Sequence, residues 1–478
     1  MKNLFKKWRA LPDSTKSSAA FMLSSFLITG LNFVTTPIFT RLMDKVQYGM
    51  VATYNSWLFI IDVFALLGLT SAGVFNVGLN EHRDGARSKY ISSILTLCNI
   101  TTIAVFGALF GAKLLFGEDF ILPLNLLVLM FIHFIFSPAN IFWITREKYE
   151  YRYKLSTLIT VISSLLSQTV SLLFVLYTTS ESTSSVKLWS TELTLLLFYV
   201  PIYFYILMKG KSFFNLKLWK QTLVFALPLI PHYLAQHIMT SADMIMITEI
   251  IGEADSAIYS VVSNIGKVAT IAWSAINVTL IAISFEAFDK RDYVSLRKTV
   301  TALIIAYGTL CLGVCLLAPE ILAILAPADY AHGVYAVPPI ACVAFICGLY
   351  NIYGNVEFYH KRAFSIALAT VVSAIFNVAL NALLIPFIGF VGAAYATLAS
   401  YAVLILMHYI GYKRCSEDEI YNNKTILIIS VAIMAACLLT SLIYFNNIVR
   451  YAIIGAMLLL ALIKRKSIQT KIKLLFNK

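Results

Sequence analysis

Long apolar stretches alternate with short polar gaps along the whole chain. Each of fourteen stretches is about long enough to cross a bilayer as a helix, which takes ~20 mostly apolar residues. We interpret them as helices because only helices and closed barrels satisfy the backbone in lipid, and barrel strands would alternate in short segments. The predicted spans are Ser17–Thr40, Tyr48–Gly78, Ile91–Leu115, Phe120–Thr145, Leu155–Thr178, Leu188–Met208, Thr222–Thr248, Ala257–Phe285, Val300–Ala326, Val334–Glu357, Ala363–Phe387, Gly389–Tyr412, Thr425–Phe445 and Val449–Ile463. The pattern therefore predicts an all-α polytopic membrane protein with about 14 transmembrane helices.

Composition excludes a soluble globular protein. Hydrophobic residues make up 59% of the 478 residues and charged residues 13%, whereas a soluble domain averages about 25% charged residues. The gaps between spans are too short for a folded soluble domain. The net charge of +13 does not indicate a nucleic-acid partner, because Lys and Arg in membrane proteins mainly hold loops on the cytoplasmic side.

Positive charges fall in alternate gaps. If the amino terminus is cytoplasmic, the inner segments hold 31 of the 37 Lys and Arg residues and the outer loops hold 4, with Lys113 and Lys267 inside spans. This asymmetry predicts that both termini are cytoplasmic. The basic segment Lys2 to Lys16 precedes a span that is too long for a cleavable signal. The basic tail from Lys464 onward is expected on the inner side, as a retention charge or as a short amphipathic piece on the anionic leaflet.

Motifs in both halves of the chain resemble one family of membrane proteins. The motifs are Pro37-x-x-x-Arg41-Leu42…Gln47-Tyr48-Gly49, Leu227-Pro228-Leu229-Ile230-Pro231, Ser241-Ala242-Asp243 and Gly252…Ile258-Tyr259-Ser260. They resemble bacterial polysaccharide exporters, the O-antigen (Wzx-type) and teichoic-acid flippases of the multidrug/oligosaccharidyl-lipid/polysaccharide (MOP) exporter superfamily. The chain departs from the family pattern after Asp243, where Met244 stands in place of a frequent arginine.

The resemblance implies two pseudo-symmetric six-helix bundles around a central cavity, with two additional C-terminal helices. The bundles would cover residues 1–208 (helices 1–6) and 209–412 (helices 7–12), and residues 413–478 would hold helices 13–14 and the tail. The resemblance also implies alternating access for an undecaprenyl-diphosphate-linked glycan in the bacterial inner membrane. A polysaccharide polymerase and a chain-length regulator would be its protein partners.

Ionisable side chains inside spans are the candidate site residues, because each costs ~2.5–3.5 kcal/mol on insertion. Lys267 lies inside span 8 with Asn264 one turn before it, and its ammonium group suits a lipid diphosphate. Its alternative role is a structural pair with Asp243 or Asp62. Asp243 is expected to pair with Lys267 or to bind a coupling cation. Asp62 is a candidate proton or sodium site, or a partner of Arg41 or Lys267.

The other polar candidates lie on spans 1 and 7. Arg41 either lines the outer cavity mouth or is an interfacial side chain that snorkels to the headgroups. His232 and His237 either titrate during transport or form interhelical hydrogen bonds. Asn32 either binds sugar hydroxyls or packs between helices. Three glutamates lie near span ends, where access to water lowers the cost of their charge; these are Glu192, Glu320 and Glu357. We interpret His133 and His408 as packing residues.

Three functions are compatible with these features. The first is a flippase for lipid-linked oligosaccharide. The second is a cation-coupled multidrug antiporter of the same superfamily, although a cationic Lys267 disfavours cationic drugs. The third is a membrane-embedded polymerase or glycosyltransferase, but the chain has no long outer loop and no Asp-x-Asp. We predict no cofactor, no catalytic set and no metal site. The lack of a Walker motif indicates that ATP is not a direct fuel, which leaves an H⁺ or Na⁺ gradient or downstream consumption of the glycan as the energy source.

Overall fold

The computed structural model describes residues 12–82, 85–117, 120–416 and 418–463, and this part of the chain is helical without strands. The first nine α-helices are α1 Asp13–Leu42, α2 Lys45–Leu66, α3 Ala72–Glu81, α4 Gly85–Phe116, α5 Leu124–Tyr149, α6 Tyr153–Tyr177, α7 Thr183–Gly210, α8 Leu216–Ala226 and α9 Ile230–Ile251. The next eight are α10 Glu253–Lys290, α11 Tyr293–Leu316, α12 Ala318–Leu325, α13 Val337–Tyr359, α14 Ala363–Ile388, α15 Phe390–Cys415, α16 Asn423–Leu439 and α17 Asn447–Ile463.

The helices confirm the predicted class of multi-pass membrane protein. Thirteen helical segments of the described chain are long and apolar enough to cross a membrane. The shorter apolar helix α17 corresponds to the fourteenth predicted span. The basic residues at both ends of the chain, Lys2 to Arg9 and Lys464 to Lys478, lie outside the described residues, as does Arg83. The orientation of the protein in the membrane stays a prediction.

Three predicted spans are interrupted, so their form as continuous α-helices was wrong. The seventh passes from α8 to α9 through a 3₁₀ turn at Leu227–Leu229. The second predicted span is divided between α2 and α3, because Leu67 (φ 50°) and Gly68 (φ 66°) adopt left-handed backbone conformations. Left-handed residues cannot continue a right-handed helix. The ninth predicted span is divided at Leu317 into α11 and the eight-residue helix α12.

A tyrosine from another helix supports the break between α2 and α3. The ring of Tyr233 in α9 lies so close to Gly68 that a Cβ atom there would be 2.9 Å from it. The Tyr233 hydroxyl donates a hydrogen bond to Oγ of Ser71, the residue that caps α3, at 2.9 Å. Glycine at position 68 therefore serves both the left-handed turn and the close approach of the ring.

The described contacts divide the chain into two compact units. The amino-terminal unit holds residues 1–260 and 370–389, and the carboxyl-terminal unit holds residues 261–369 and 390–478. Helices α10 and α14 each contribute residues to both units. The predicted division by helix order, 1–208, 209–412 and 413–478, stays a prediction.

Helix α7 is central to the packing of the amino-terminal unit, where it contacts α4, α5 and α6. Helix α2 packs against α9, and α1 packs against α6. The buried face of α6 is lined with serines, among them Ser163, Ser167 and Ser171. Small residues of this kind let membrane helices approach closely and are common at helix interfaces in lipid.

Helix α13 has the corresponding position in the carboxyl-terminal unit, where it packs against α11, α15 and α16. Their buried faces and that of α10 form one hydrophobic core, which contains Trp273, Phe345 and several tyrosines. The hydroxyl of Tyr307 donates to the backbone carbonyls of Ala269, at 3.2 Å, and Ala344, at 3.0 Å. This buried phenol therefore joins three helices while its polar atom is satisfied.

A bidentate ion pair joins α17 to the short helix α12. Arg450 is 2% exposed and donates to both carboxylate oxygens of Glu320 at 2.8 Å, and also to the Leu316 carbonyl at 2.9 Å. The Tyr451 hydroxyl donates to the same carboxylate at 2.7 Å. Hydrogen bonds from Arg450 lower the pKa of Glu320, which lies outside the membrane-spanning segments, to about 2. Arg450, counted as an outer-loop charge from the sequence, is thus an anchored side chain of α17.

Candidate functional site

Lys267 stands alone in a long uncharged stretch of helix. It is the one charged side chain between residues 256 and 285 of the 38-residue helix α10. The nearest charged positions along α10, Asp255 and Glu286, are ~18 Å and ~28 Å away at 1.5 Å per residue. A charged side chain inside a membrane-spanning helix costs free energy, and such residues commonly have a functional role.

The partner of Lys267 is a neutral amide. Its Nζ donates to Oδ1 of Asn264, one turn earlier, at 3.0 Å, and the lysine is exposed at the surface of its unit. Within that unit no described carboxylate forms an ion pair with it. The two predicted residues are therefore brought together, and the amide orients the ammonium group without neutralising its charge. An amide and an ammonium side by side can bind a phosphate oxygen.

Asp243 is buried in α9 and held by two donors of the amino-terminal unit. Its Oδ2 accepts from the Tyr259 hydroxyl at 2.7 Å, and its Oδ1 accepts from Nδ2 of Asn381 at 2.6 Å. Asn381 also donates to Oδ1 of Asn377 at 3.2 Å, and both asparagines are fully buried. This group of oxygen-bearing side chains can serve as a structural hydrogen-bond network or as ligands of a monovalent cation.

The candidates on α1 lie in its carboxyl-terminal half, on either side of Pro37. Arg41 is exposed in the last turn and donates from Nη1 to the carbonyl of Pro37 at 2.9 Å. Asn32 is exposed, and its backbone carbonyl accepts hydrogen bonds from Thr35 and Thr36. Neither residue belongs to the buried face of α1.

The two histidines of α9 have different surroundings. The His237 ring stacks on Phe59 of α2, with ring centroids 5.8 Å apart and planes 15° apart. His232 lies in the first turn of α9, beside Tyr233. His237 therefore contributes to the α2–α9 contact, and a role in transport stays a prediction for both residues.

Asp62 lies in the same unit as a hydrogen-bonded pair, His133 and Glu192, that the sequence did not predict. It makes no ion pair among the described residues, but it lies within electrostatic range of His133 on α5. His133 donates from Nδ1 to Oε2 of Glu192 on α7 at 3.0 Å. Glu192 is 7% exposed. Placing Glu192 at a hydrated span end was therefore wrong, and His133, expected as a packing residue, also forms a hydrogen bond between two helices.

A second histidine–glutamate pair lies in the carboxyl-terminal unit. Glu357 is fully buried, accepts from Nδ1 of His408 at Oε2, and accepts from the Ser365 hydroxyl at Oε1 at 2.6 Å. The expectation that water access makes this charge cheap was therefore wrong as well. In both pairs the two partners lie on different helices. The sign of them in the sequence was therefore an ionisable residue inside a predicted span that has no partner on its own helix.

Comparison with known proteins identifies the family. The chain belongs to the polysaccharide biosynthesis protein family, which it matches over residues 14–288. No curated protein sequence matches the chain. The matched region includes most of the candidate site, from Asn32 and Arg41 through Asp62 and Asp243 to Lys267.

Solved structures of transporters share the fold. The lipid II flippase MurJ in an inward-closed conformation has a TM-score of 0.66 at 14% identity, over 94% of this chain and 99% of that chain. An inward-facing MATE-family multidrug resistance transporter of the MOP superfamily has a TM-score of 0.59 at 11% identity, over 87% and 95%. A MOP-superfamily transporter from Pyrococcus furiosus has a TM-score of 0.56 at 14% identity, over 84% and 95%. At these identities the likeness shows the fold, which is that of MOP-superfamily transporters.

Proposed function

We propose that this protein is a flippase for undecaprenyl-diphosphate-linked oligosaccharide, such as an O-antigen repeat unit. It would accept the lipid-linked glycan from the cytoplasmic leaflet of the bacterial inner membrane and release it in the outer leaflet by alternating access. The polysaccharide biosynthesis family and the transporter fold support transport of a glycan carrier and disfavour an enzyme.

The observation that carries this proposal is the isolated ammonium group of Lys267. A positive charge in the middle of a membrane-spanning helix is expensive unless an anion accompanies it during function. Asn264 orients Lys267 but adds no negative charge. A lipid diphosphate supplies negative charge at several oxygen atoms, and charge-assisted hydrogen bonds to such oxygens are among the stronger ones.

The cation-coupled multidrug antiporter is the second candidate, because the MATE-family transporter has a similar fold. An isolated lysine repels cationic drugs, which favours the flippase over this alternative. For either transporter, the buried network around Asp243 is a candidate site for a coupling H⁺ or Na⁺. A polysaccharide polymerase and a chain-length regulator are the expected protein partners of the flippase.

The test is glycan export in a strain deleted for this gene and complemented with variants. We expect Lys267→Ala to abolish the surface polysaccharide ladder while lipid-linked repeat units accumulate inside. Lys267→Arg retains the positive charge and should retain part of the export. Lys290→Ala is the matched control, since Lys290 lies at the end of the same helix, is exposed and pairs with Glu286 at 2.6 Å.

Each outcome separates the candidate functions. Loss of the ladder with intact repeat units trapped inside supports the flippase. An unchanged ladder in the deleted strain contradicts the flippase and favours the antiporter. Single unpolymerised units on the outer surface of the deleted strain would indicate the polymerase instead. A normal ladder in the Lys267→Ala strain would remove this residue from the translocation site.

A further inference from the structure

A cavity of about 450 Å³ lies between α3, α4 and α8 in the amino-terminal unit. One face of α3, the side chain of Tyr90 on α4 and much of α8 form its lining. We call it the α3–α8 cavity. Its volume is within the range of small-molecule binding sites. None of the candidate transport residues lines it, so the proposed transport site does not account for it.

The α3–α8 cavity has a polar end and an apolar end. Glu81 lies at the end of α3, and Lys217 and Lys220 lie in the first two turns of α8. The apolar lining residues lie further into the two helices; they are Val74, Val77, Val224 and Phe225. The polar end adjoins two loops that the charge asymmetry predicts to be cytoplasmic. The cavity therefore suits a ligand with a polar head and an apolar chain.

Hydrogen bonds and ring stacking hold the walls of the α3–α8 cavity in place. Nε1 of Trp219 on α8 donates to the carbonyl and to Oγ of Ser93 on α4, both at 2.9 Å. The Tyr90 ring is 2% exposed and stacks on the His82 ring, with centroids 5.0 Å apart. Nδ1 of His82 donates to the Gly78 carbonyl at 2.8 Å. Walls that are already ordered lower the entropic cost of binding.

The charges of the α3–α8 cavity favour a ligand with a single negative charge. Lys217 and Lys220 are exposed, and neither forms an ion pair with a described residue. Two ammonium groups and the carboxylate of Glu81 leave one net positive charge in the described lining while His82 is neutral. A phosphodiester carries one negative charge, whereas a phosphate monoester carries about −1.5 to −2 near pH 7. The lining therefore matches a phosphodiester better than a more highly charged anion.

The apolar end favours a lipid over a free anion. Val224 is 66% exposed and Phe225 is 44% exposed, although both line the cavity beside its charged end. Exposed apolar side chains next to a basic site can contact an acyl chain while the headgroup meets the lysines. Basic pockets between membrane helices at the cytoplasmic surface bind anionic lipid headgroups in this way. A free phosphate would leave the apolar end uncovered.

We propose that the α3–α8 cavity binds an anionic phospholipid of the inner leaflet. Its phosphodiester lies at Lys217 and Lys220, and an acyl chain lies along Val224 and Phe225. The leaflet follows from the predicted orientation of the chain, because the two loops beside the polar end carry inner-side charge. This lipid site is separate from the residues assigned to transport and does not rest on the proposed function.

Titration of the purified full-length protein in detergent, followed by native mass spectrometry, measures lipid binding. Phosphatidylglycerol is the anionic probe and phosphatidylcholine the zwitterionic one. Wild type should bind phosphatidylglycerol more tightly. The double variant Lys217→Gln/Lys220→Gln should bind it more weakly by roughly thirty-fold, the combined effect of two basic side chains near an anionic headgroup. The matched control is Lys298→Gln/Lys424→Gln, since both lysines are exposed near the starts of α11 and α16, and it should bind like wild type.

Two single variants test the charge and the acyl-chain contact separately. Glu81→Gln removes a repulsive carboxylate and should strengthen binding of phosphatidylglycerol, the opposite of the lysine double variant. Phe225→Ser should weaken it, because the acyl chain loses an apolar contact. Inorganic phosphate at matched concentration should not displace the lipid.

Several outcomes would overturn the lipid site. Equal affinity of wild type and the lysine double variant, or an equal loss in the control double variant, would remove the two lysines from it. Equal affinity for the two lipids would contradict an anionic ligand. Displacement by inorganic phosphate would make the cavity a free-phosphate site. Displacement by undecaprenyl diphosphate at matched concentration would assign it to a carrier lipid instead of a phospholipid.

Discussion

Substitution of Glu320 by glutamine should detach α17 from the carboxyl-terminal unit. It leaves the guanidinium of Arg450, 2% exposed, without its counter-charge. Breaking a buried ion pair in this way costs ~3–5 kcal/mol. Since the Glu320 side chain is 32% exposed, solvent screening reduces the loss, and we expect about 2 kcal/mol. The lowering of the pKa of Glu320 from 4.5 to about 2 corresponds to about 3 kcal/mol before this screening.

Thermal unfolding of the purified protein in detergent measures this loss. Glu320→Gln should lower the midpoint, and the double variant with Arg450→Met should recover much of it, because no buried charge then remains. The pKa of Glu320 is depressed in the folded state, so its contribution is present above the ordinary value near 4.5 and is lost as the pH falls toward 2. Equal midpoints for wild type and Glu320→Gln near neutral pH, or a double variant less stable than Glu320→Gln, would refute the reasoning.

Two further predictions concern packing and topology. A Cβ atom at Gly49 in α2 would collide with the backbone carbonyl of Glu253, so Gly49→Ala should destabilise the protein by ~1–3 kcal/mol in the same melting assay. Gly30→Ala is its control, because nothing lies within 4 Å of a Cβ atom there, and equal losses for the two variants would contradict the packing explanation. Single-cysteine tags test the charge asymmetry through labelling of intact cells with a membrane-impermeant thiol reagent. Tags at residues 182 and 329 should react from outside and tags at 86 and 150 should not, and the reverse pattern would invert the topology.

The sequence predicted the helices well because length and apolar composition alone determine whether a segment can span a bilayer. It did not predict where the helices break. The turn at Leu67 and Gly68 depends on Tyr233, which is 165 residues away in sequence from Gly68. Apolar residues continue through that turn, so hydropathy gives no sign of it. Such breaks depend on tertiary contacts that composition does not encode.

The candidate site was predictable only as a set of unusual side chains. Lys267 and Asn264 are one helical turn apart, so their contact followed from the spacing. Glu192 and His133 are 59 positions apart on different helices, and their pairing depends on helix rotations. Sequence position placed Glu192 near a helix end, but its exposure is set by α2, α4, α5 and α6 around it. Residue type identified the candidates, and packing decided their partners.

The partners of four cations distinguish structural from functional charges. Arg450 meets a carboxylate, Lys113 donates to the carbonyls of Phe120 and Leu122 beyond the end of α4, and the Lys187 ammonium lies 3.8 Å from the centre of the Phe39 ring. In these three the charge or its hydrogen bonds are satisfied within the fold, and such charges serve stability.

Lys267 is different because its partner is a neutral amide on the same helix. Among the described residues of its own unit, Asn264 orients this ammonium group and no carboxylate pairs with it. The nearest charged position along the helix lies ~18 Å away. A charged ammonium group in this position gains a counter-charge when an anionic ligand binds, and an anionic lipid carrier is such a ligand.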